Sequence, residues 1–431
     1  MLLARGLVIA APRSGSGKTV ITLGLLAALR RQGVVVAPAK TGPDYIDPAF
    51  LSRAALRDAV NLDPWSMSAP RLKSIAAIQS TGADLLLVEG VMGLFDGAAD
   101  NTGSTADLAE LLELPVVLVV DADRQSQSVA PLVAGFANWR PGVRIAGTIL
   151  NRVASMKHER MLTEALAATG IPCLGAIPRD TALVVPERHL GLVLPGEVAA
   201  FETFLDAAAE TIANYVDLAH LQTLAAPIVD GETPPASLPP LGQRIAIARD
   251  DAFAFLYPHL IDGWRAQGAE LSFFSPLADE APSPDADAVY LPGGYPELHG
   301  ATLANAAAFK AGLTAARDRG ALLYGECGGF MVLGETLVDK AGQGYQMSGL
   351  LPITTRIDRP KRILGYRRLI QSGGLPWPGQ LNGHEFHYSS ARQSRLDPLF
   401  AATDARGDAL PPMGAVIGRV MGSYAHVVDA A

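Results

Sequence analysis

Continuous apolar, β-branched runs recur along the first half of the chain, at 7–11, 34–40, 85–89, 115–121 and 145–151. Runs without polar alternation suit strands covered on both faces, and the helix-period segments between them suit βαβ crossovers. This half is therefore expected to be a doubly wound α/β domain with a mostly parallel sheet. Periodicity fails over 222–242, where Pro227, Pro234, Pro235, Pro239 and Pro240 stand among Gly, Ser and Thr, the pattern of a linker. A second alternating set begins at 244–248 and continues at 271–274, 288–291 and 321–324, so the C-terminal part is expected to be α/β as well. The expected domains are 1–221 and 243–431, joined by 222–242.

Composition narrows the partners. A chain of 431 residues exceeds what one core usually organises, and 49% apolar with 18% charged residues describes an ordinary globular protein. The net charge of −8 and pI near 5.5 oppose attraction to nucleic acid or to an anionic membrane, which leaves small molecules as the expected partners. No run approaches the roughly 18 to 20 apolar residues that span a bilayer, and the opening run stops at Pro12, too short for a signal peptide. A cytoplasmic protein is expected. There are two cysteines and no C-x-x-C spacing, which argues against a disulfide framework and a structural zinc. Cys173, within the run 171–177, reads as a small apolar strand-edge residue.

The segment from Leu7 to Thr19 places a Gly/Ser loop between a strand and a helix whose apolar face is Ile21, Leu25, Leu26 and Leu29. Backbone N–H groups over Ser14, Gly15, Ser16 and Gly17 would face phosphate oxygens, Lys18 adds a point charge, and Thr19 offers a hydroxyl to Mg²⁺. Pro12 stands where the strict P-loop pattern has its first glycine. Glu89, closing an apolar strand, is a second candidate for the metal, and Lys40 and Asp44, closing another, are expected near the γ-phosphate.

In the second half, Gly325-Glu-Cys327-Gly-Gly329 has the spacing of a strand-to-helix elbow that exposes a nucleophile. A thiol with pKa about 8.5 is mostly neutral at pH 7, so a base is needed, and His426 is the candidate. Backbone N–H groups at Gly294, after the strand ending near Leu291, and at Gly328, after the thiol, are candidates for an oxyanion site.

Taken together, these stretches resemble one family, the cobyrinic or hydrogenobyrinic acid a,c-diamide synthases of cobalamin biosynthesis. The resemblance covers nearly the whole chain. It rests on Ala-Pro-Arg-Ser-Gly-Ser-Gly-Lys-Thr, Lys-Thr-Gly-Pro-Asp-Tyr-Ile-Asp-Pro, Val-Glu-Gly-Val-Met-Gly-Leu-Phe-Asp-Gly, Pro-Gly-Gly-Tyr-Pro-Glu, Gly-Glu-Cys-Gly-Gly-Phe-Met and Gly-His-Glu-Phe-His-Tyr-Ser, in that order. It implies an N-terminal domain similar to dethiobiotin synthetase and MinD, a group in which the first Walker glycine need not be present. The C-terminal domain is similar to class I glutamine amidotransferases.

The implied reaction is amidation of the a and c acetate side chains of a corrin ring, driven by ATP through an acyl phosphate, with L-glutamine as nitrogen donor. The resemblance places Thr19, Asp44 and Glu89 around Mg²⁺, Lys40, Tyr45 and Asp96 at the substrate carboxylate, and Asn151 at the adenine. Class I enzymes carry a Glu two residues after the catalytic His; here that position is Val428, which leaves a Cys327–His426 pair and leaves open whether Asp429 or a backbone group orients His426. His384 and His387 belong to the last motif, and structural and catalytic roles both fit them. Arg356, Arg359, Lys361, Arg362, Arg367 and Arg368 form a basic stretch expected to be a solvated face, with contact to a polycarboxylated ring as the alternative. A homodimer is an expectation from relatives. Competing readings are a nickel-sirohydrochlorin a,c-diamide synthase and a MinD-like ATPase binding module with an inert amidotransferase-like domain. Cobalt-containing and metal-free corrins are not separated by the sequence.

Overall fold

Strand β1 (Arg5–Ala10) is the middle of the first sheet, and Leu7, Val8 and Ile9 on it are wholly buried, as a run without polar alternation requires. The structure, a computed structural model, describes residues 4–179, 201–228, 237–393 and 396–431, and packs as two units, Met1–Pro235 and Ala236–Ala431.

In the first unit β1 is followed by α1 (Lys18–Arg31), β2 (Val36–Thr41), α2 (Ile46–Ala55), β3 (Val60–Leu62), α3 (Ala69–Ser80), β4 (Leu85–Glu89), α4 (Thr105–Leu111), β5 (Val116–Asp121), α5 (Val129–Trp139), β6 (Ile145–Val153), α6 (Met156–Ala167) and β7 (Cys173–Pro178). The sheet order is β3-β2-β4-β1-β5-β6-β7, every neighbour parallel. The order changes direction beside β1, so the C-terminal ends of β1, β2 and β4 open onto one crevice, the usual place for a ligand in such sheets. Helix α1 buries Ile21, Leu25, Leu26 and Leu29 and packs on α7 (Phe201–Tyr215) through Phe204, Leu205, Ala208 and Ile212. Cys173 opens β7, an outer strand of the sheet, and is half-buried.

The stretch expected as a linker begins as ordered packing. The end of helix α8 (Leu218–Leu224) and strand β8 (Ala226–Pro227) occupy it, with Ala225 and Ile228 buried and Ala226 paired antiparallel with Gly6 of β1. The apolar residues of this stretch are enough to fix it against the first unit despite Pro227. Pro234 and Pro235 lie outside the described residues.

The second unit begins with β9 (Arg244–Ala248), α9 (Pro258–Ala266), β10 (Glu270–Phe274), β11 (Ala288–Leu291), α10 (Gly300–Asn305), α11 (Ala307–Asp318), β12 (Leu322–Glu326) and α12 (Gly328–Leu333). Its main sheet runs β10-β9-β11-β12, then strands Val420–Ser423 and Ala415–Ile417; only the last is antiparallel. A five-stranded antiparallel sheet, absent from the sequence expectations, orders Ala409–Met413, Phe400–Thr403, Ile363–Gln371, Gln380–His387 and His426–Ala430. Among the described residues no helix is long and apolar enough to cross a membrane.

Candidate active sites

The loop between β1 and α1 turns through left-handed backbone at Gly15 (φ 79°) and Gly17 (φ 93°), conformations that favour glycine. At Gly17 space forbids a side chain as well, since a Cβ would lie 2.2 Å from Asn151 Nδ2. Asn151, on β6, donates from that nitrogen to the Ser16 carbonyl at 2.9 Å, so its amide supports the loop from beneath. Ser14 and Gly15 form the exposed crest. Lys18 is buried and donates to the Met92 carbonyl; burial, then the charge of Lys40, lowers its pKa. Arg13 reaches Asp121 at the end of β5 (3.0 Å), a carboxylate shared with Arg152 (2.8 Å).

Thr19 Oγ1 donates to Glu89 Oε1 at 2.6 Å, and Lys40 Nζ reaches the same oxygen at 2.9 Å while also holding Asp47 Oδ2. Burial disfavours the Lys40 ammonium, yet Asp47, Glu89 and Asp44 outweigh it and raise the pKa. Glu89 is wholly buried, which raises its carboxyl pKa against the opposing pull of Lys40. Asp44 accepts the Ile46 N–H at 2.8 Å, and burial followed by the nearby Asp47 pushes its pKa up to about 7. Tyr45 stands just before α2, half-buried; Asp96 is exposed and accepts the Gly93 N–H at 2.8 Å. Asp47 falls outside the residues the sequence singles out, although it stands three positions after Asp44 in the same motif.

Glu89 Oε2 is buried without a hydrogen-bond partner, next to the Thr19 hydroxyl, and an oxygen of that kind suits a hard cation. No group of three His, Cys, Asp or Glu able to hold a metal occurs among the described residues, so phosphate oxygens and water would have to complete the shell.

In the second unit Cys327 sits between β12 and α12 at φ 47°, ψ −107°, a strained backbone for a residue with a Cβ, costing about 1–3 kcal/mol. Its N–H donates to the Ser423 carbonyl at 2.8 Å. Gly329 is required by close approach, because a Cβ there would meet the Leu291 carbonyl at 1.9 Å. The two oxyanion candidates are neighbours: a Cβ on Gly328 would lie 3.1 Å from Gly294 N. Gly293 lies against both residues, since a Cβ there would fall 2.4 Å from His426 Cε1 and 3.3 Å from Cys327 Cβ. The fold thus brings Cys327, His426, Gly294 and Gly328 to one place.

Burial, then the charge of Glu297, pushes the Cys327 thiol well above its ordinary range, against a hydrogen bond from the Gly328 backbone. Glu297, in the turn after β11, is itself pushed up to about 7 by burial. At neutral pH the resting thiol is therefore protonated and depends on a base.

Residues 7–193 match the family model described as a CobQ/CobB/MinD/ParA nucleotide binding domain, and residues 244–430 match the CobB/CobQ-like glutamine amidotransferase domain. A protein named hydrogenobyrinate a,c-diamide synthase from Brucella abortus biovar 1 (strain 9-941) is 56% identical over 99% of this chain and 98% of its own. Proteins of the same name are 52% identical in Rhizobium meliloti (strain 1021), over 98% of this chain and 99% of theirs, and 48% identical in Rhodobacter capsulatus, over 98% of each. The chain belongs to the hydrogenobyrinate a,c-diamide synthase family. It is accordingly an enzyme, a glutamine-dependent amidotransferase ligase with a nucleotide-binding domain ahead of the amidotransferase domain.

Other residues of this synthase-family chain depart from the sequence expectations. Arg367 is not part of a solvated face: it is buried and donates to Glu385 Oε2 at 2.7 Å, while Glu385 Oε1 lies 2.8 Å from His387 Nε2. Alternation along the strand Ile363–Gln371 turns Arg367 inward. Arg356, Arg359, Lys361, Arg362 and Arg368 are exposed. His387 stacks on Tyr424 with ring centroids 4.0 Å apart. His384 pairs in register with His426, and burial first, then the His426 charge, lowers its pKa to about 3, so it stays neutral at working pH. Glu326 also falls outside the residues the sequence singles out. Its carboxylate is wholly buried and lies 3.7 Å from His426 Nδ1.

Proposed function

We propose that the chain uses ATP and L-glutamine to convert the a and c acetate carboxylates of a corrin ring, hydrogenobyrinate, to carboxamides in cobalamin biosynthesis. The observation that carries this reading is the presence of two separate clusters of complementary chemistry: Lys18, Thr19, Lys40 and Glu89 around a phosphate-binding loop, and Cys327 beside His426 on a strained elbow. The names of the full-length relatives supply the ring.

A carboxylate resists ammonia because its negative charge repels the attacking lone pair and it has no leaving group. In this reading the substrate carboxylate oxygen attacks the γ-phosphorus of ATP, ADP departs, and the acyl phosphate then loses phosphate as ammonia adds to its carbon. The loop N–H groups and Lys18 hold the phosphates. Lys40, Tyr45 and Asp96 are placed at the substrate carboxylate, and Asn151, besides supporting Ser16, at the adenine edge. Thr19 and Glu89, with Asp44 nearby, would hold Mg²⁺, which when bound neutralises charge on the phosphates. At the second cluster Cys327 gives its proton to His426 as sulfur attacks the glutamine carboxamide carbon. The proton leaves with ammonia, and water hydrolyses the thioester to glutamate and free thiol. The N–H groups of Gly294 and Gly328 would stabilise the oxyanion of each tetrahedral intermediate.

The test is incubation of the full chain with ATP, Mg²⁺, glutamine and, in separate arms, hydrogenobyrinate, cobyrinate or nickel-sirohydrochlorin, with products read by mass spectrometry. Conversion of two carboxylates to carboxamides on hydrogenobyrinate is expected. Turnover on another ring alone would reassign the substrate, and ATP hydrolysis without amide formation in any arm would overturn the ligase reading.

A further inference from the structure

We propose that Glu326, the residue immediately before the nucleophile, is the carboxylate that positions His426 for glutamine hydrolysis. The inference rests on the glutaminase reading above and adds the acid that a Cys–His pair alone lacks. The position two residues after His426 offers none, because Val428 is apolar and wholly buried. Asp429 turns Oδ1 to the Ala430 N–H at 2.9 Å.

The geometry at Glu326 is specific. Oε2 faces His426 Nδ1 at 3.7 Å, with the two side chains only 1% and 2% exposed, an ion-pair separation that lies beyond hydrogen-bond length. Such contacts are commonly long before substrate binds and tighten as charge develops. The carboxylate cannot wander, since Tyr290 donates to Oε2 at 2.8 Å, and Tyr324 and the Val427 N–H donate to Oε1 at 2.9 and 3.1 Å. The last of these donors belongs to the residue after His426, so the carboxylate is fastened to the strand that carries the base. Burial and the charge of Glu326 raise the pKa values of both tyrosines, which keeps them as donors.

A carboxylate at Nδ1 selects the tautomer with the proton on that nitrogen and leaves Nε2 free to accept the Cys327 proton. When Nε2 is protonated, the imidazolium faces the Glu326 charge across Nδ1–H, in a site where few waters could share the task. Other titratable groups of this cluster include His384, on the neighbouring strand and neutral, Cys327 itself, and Glu297, Glu385 and Arg367, whose charges act on those two. Glu326 does not touch substrate in this scheme and acts only through His426.

Glu326→Gln keeps the size of the side chain and its acceptor oxygen while removing the charge. Expected are a fall of about a hundredfold or more in kcat for glutamine-dependent synthesis, with KM for glutamine changed by less than about threefold. Synthesis from ammonium should persist within about twofold, because the phosphate loop belongs to the other packed unit. A glutamine-dependent kcat within about twofold of the unsubstituted chain would overturn the proposal, as would a loss carried by KM for glutamine and not by kcat. Should the variant fail to fold, the ¹⁵N shifts of His426 in the unsubstituted protein decide: an Nδ1–H tautomer is expected, and an Nε2–H tautomer overturns it. Absence of glutaminase activity in the unsubstituted chain would instead sink the underlying functional reading.

Discussion

Thr19 Oγ1 and Glu89 Oε1 are joined by a 2.6 Å hydrogen bond, which ties the first turn of α1 to the end of β4. The other oxygen of Glu89 is buried without a hydrogen-bond partner, and Lys40 keeps Asp47 as a charged partner when the Glu89 charge is removed, so the change should affect ligand binding more than packing. Glu89→Gln is expected to lower ATP-dependent amidation by about a hundredfold or more with either glutamine or ammonium. Lys18→Ala should abolish both. Steady-state assays with each nitrogen source check this, and loss confined to glutamine would contradict it.

Cys327→Ala should lose glutamine-dependent synthesis and retain ammonium-dependent synthesis, because the thiol belongs to a different packed unit from the phosphate loop. Comparing the two nitrogen sources at saturating ATP decides. A variant inactive with ammonium would contradict the division of labour.

Gly293→Ala introduces a Cβ that would meet the His426 ring at 2.4 Å, so the imidazole must shift. A displacement of this size is expected to lower the glutaminase kcat by about tenfold to a hundredfold, with ammonium-dependent synthesis unchanged. Unaltered glutamine hydrolysis would show that the ring has slack.

Alkylation of Cys327 should follow its raised pKa. A raised thiol pKa means less thiolate at any given pH, and ionisation of Glu297 through about 7 adds a negative charge that disfavours thiolate further. The iodoacetamide rate without glutamine is therefore expected to climb across about pH 6 to 9 with no plateau. A plateau near pH 6 would indicate a standing thiolate–imidazolium pair.

Arg367→Met should destabilise the fold by about 3–5 kcal/mol, because Glu385 stays buried while its guanidinium partner is lost. Denaturant unfolding measures it; a change under about 1 kcal/mol would place the pair among weak surface bridges.

Much of this architecture is legible in the sequence where burial on both faces leaves an unbroken apolar run. The strands at 85–89, 244–248 and 288–291 have the expected bounds, and the loop and elbow follow from glycines at turns that tolerate little else. The antiparallel sheet is not legible in that way, because strands such as Ile363–Gln371 mix Gly and Arg into a half-exposed alternation. Glu326 reads as the end of an apolar strand, and its partner lies a hundred residues on; only a charge inside the run Leu322–Glu326 hints at a role. Asp47 and Asp121 likewise acquire meaning only when folding brings Lys40 to one and Arg13 with Arg152 to the other.

Sulfur and acid at 327 and 326 are linked by a single peptide bond, whereas the imidazole arrives on a different strand. Any parting of those two strands would lengthen the thiol–imidazole and imidazole–carboxylate gaps simultaneously, with the Val427 tether among the first contacts to go. Both steps of ammonia release therefore hang on one coordinate, the approach of the strand that carries the base.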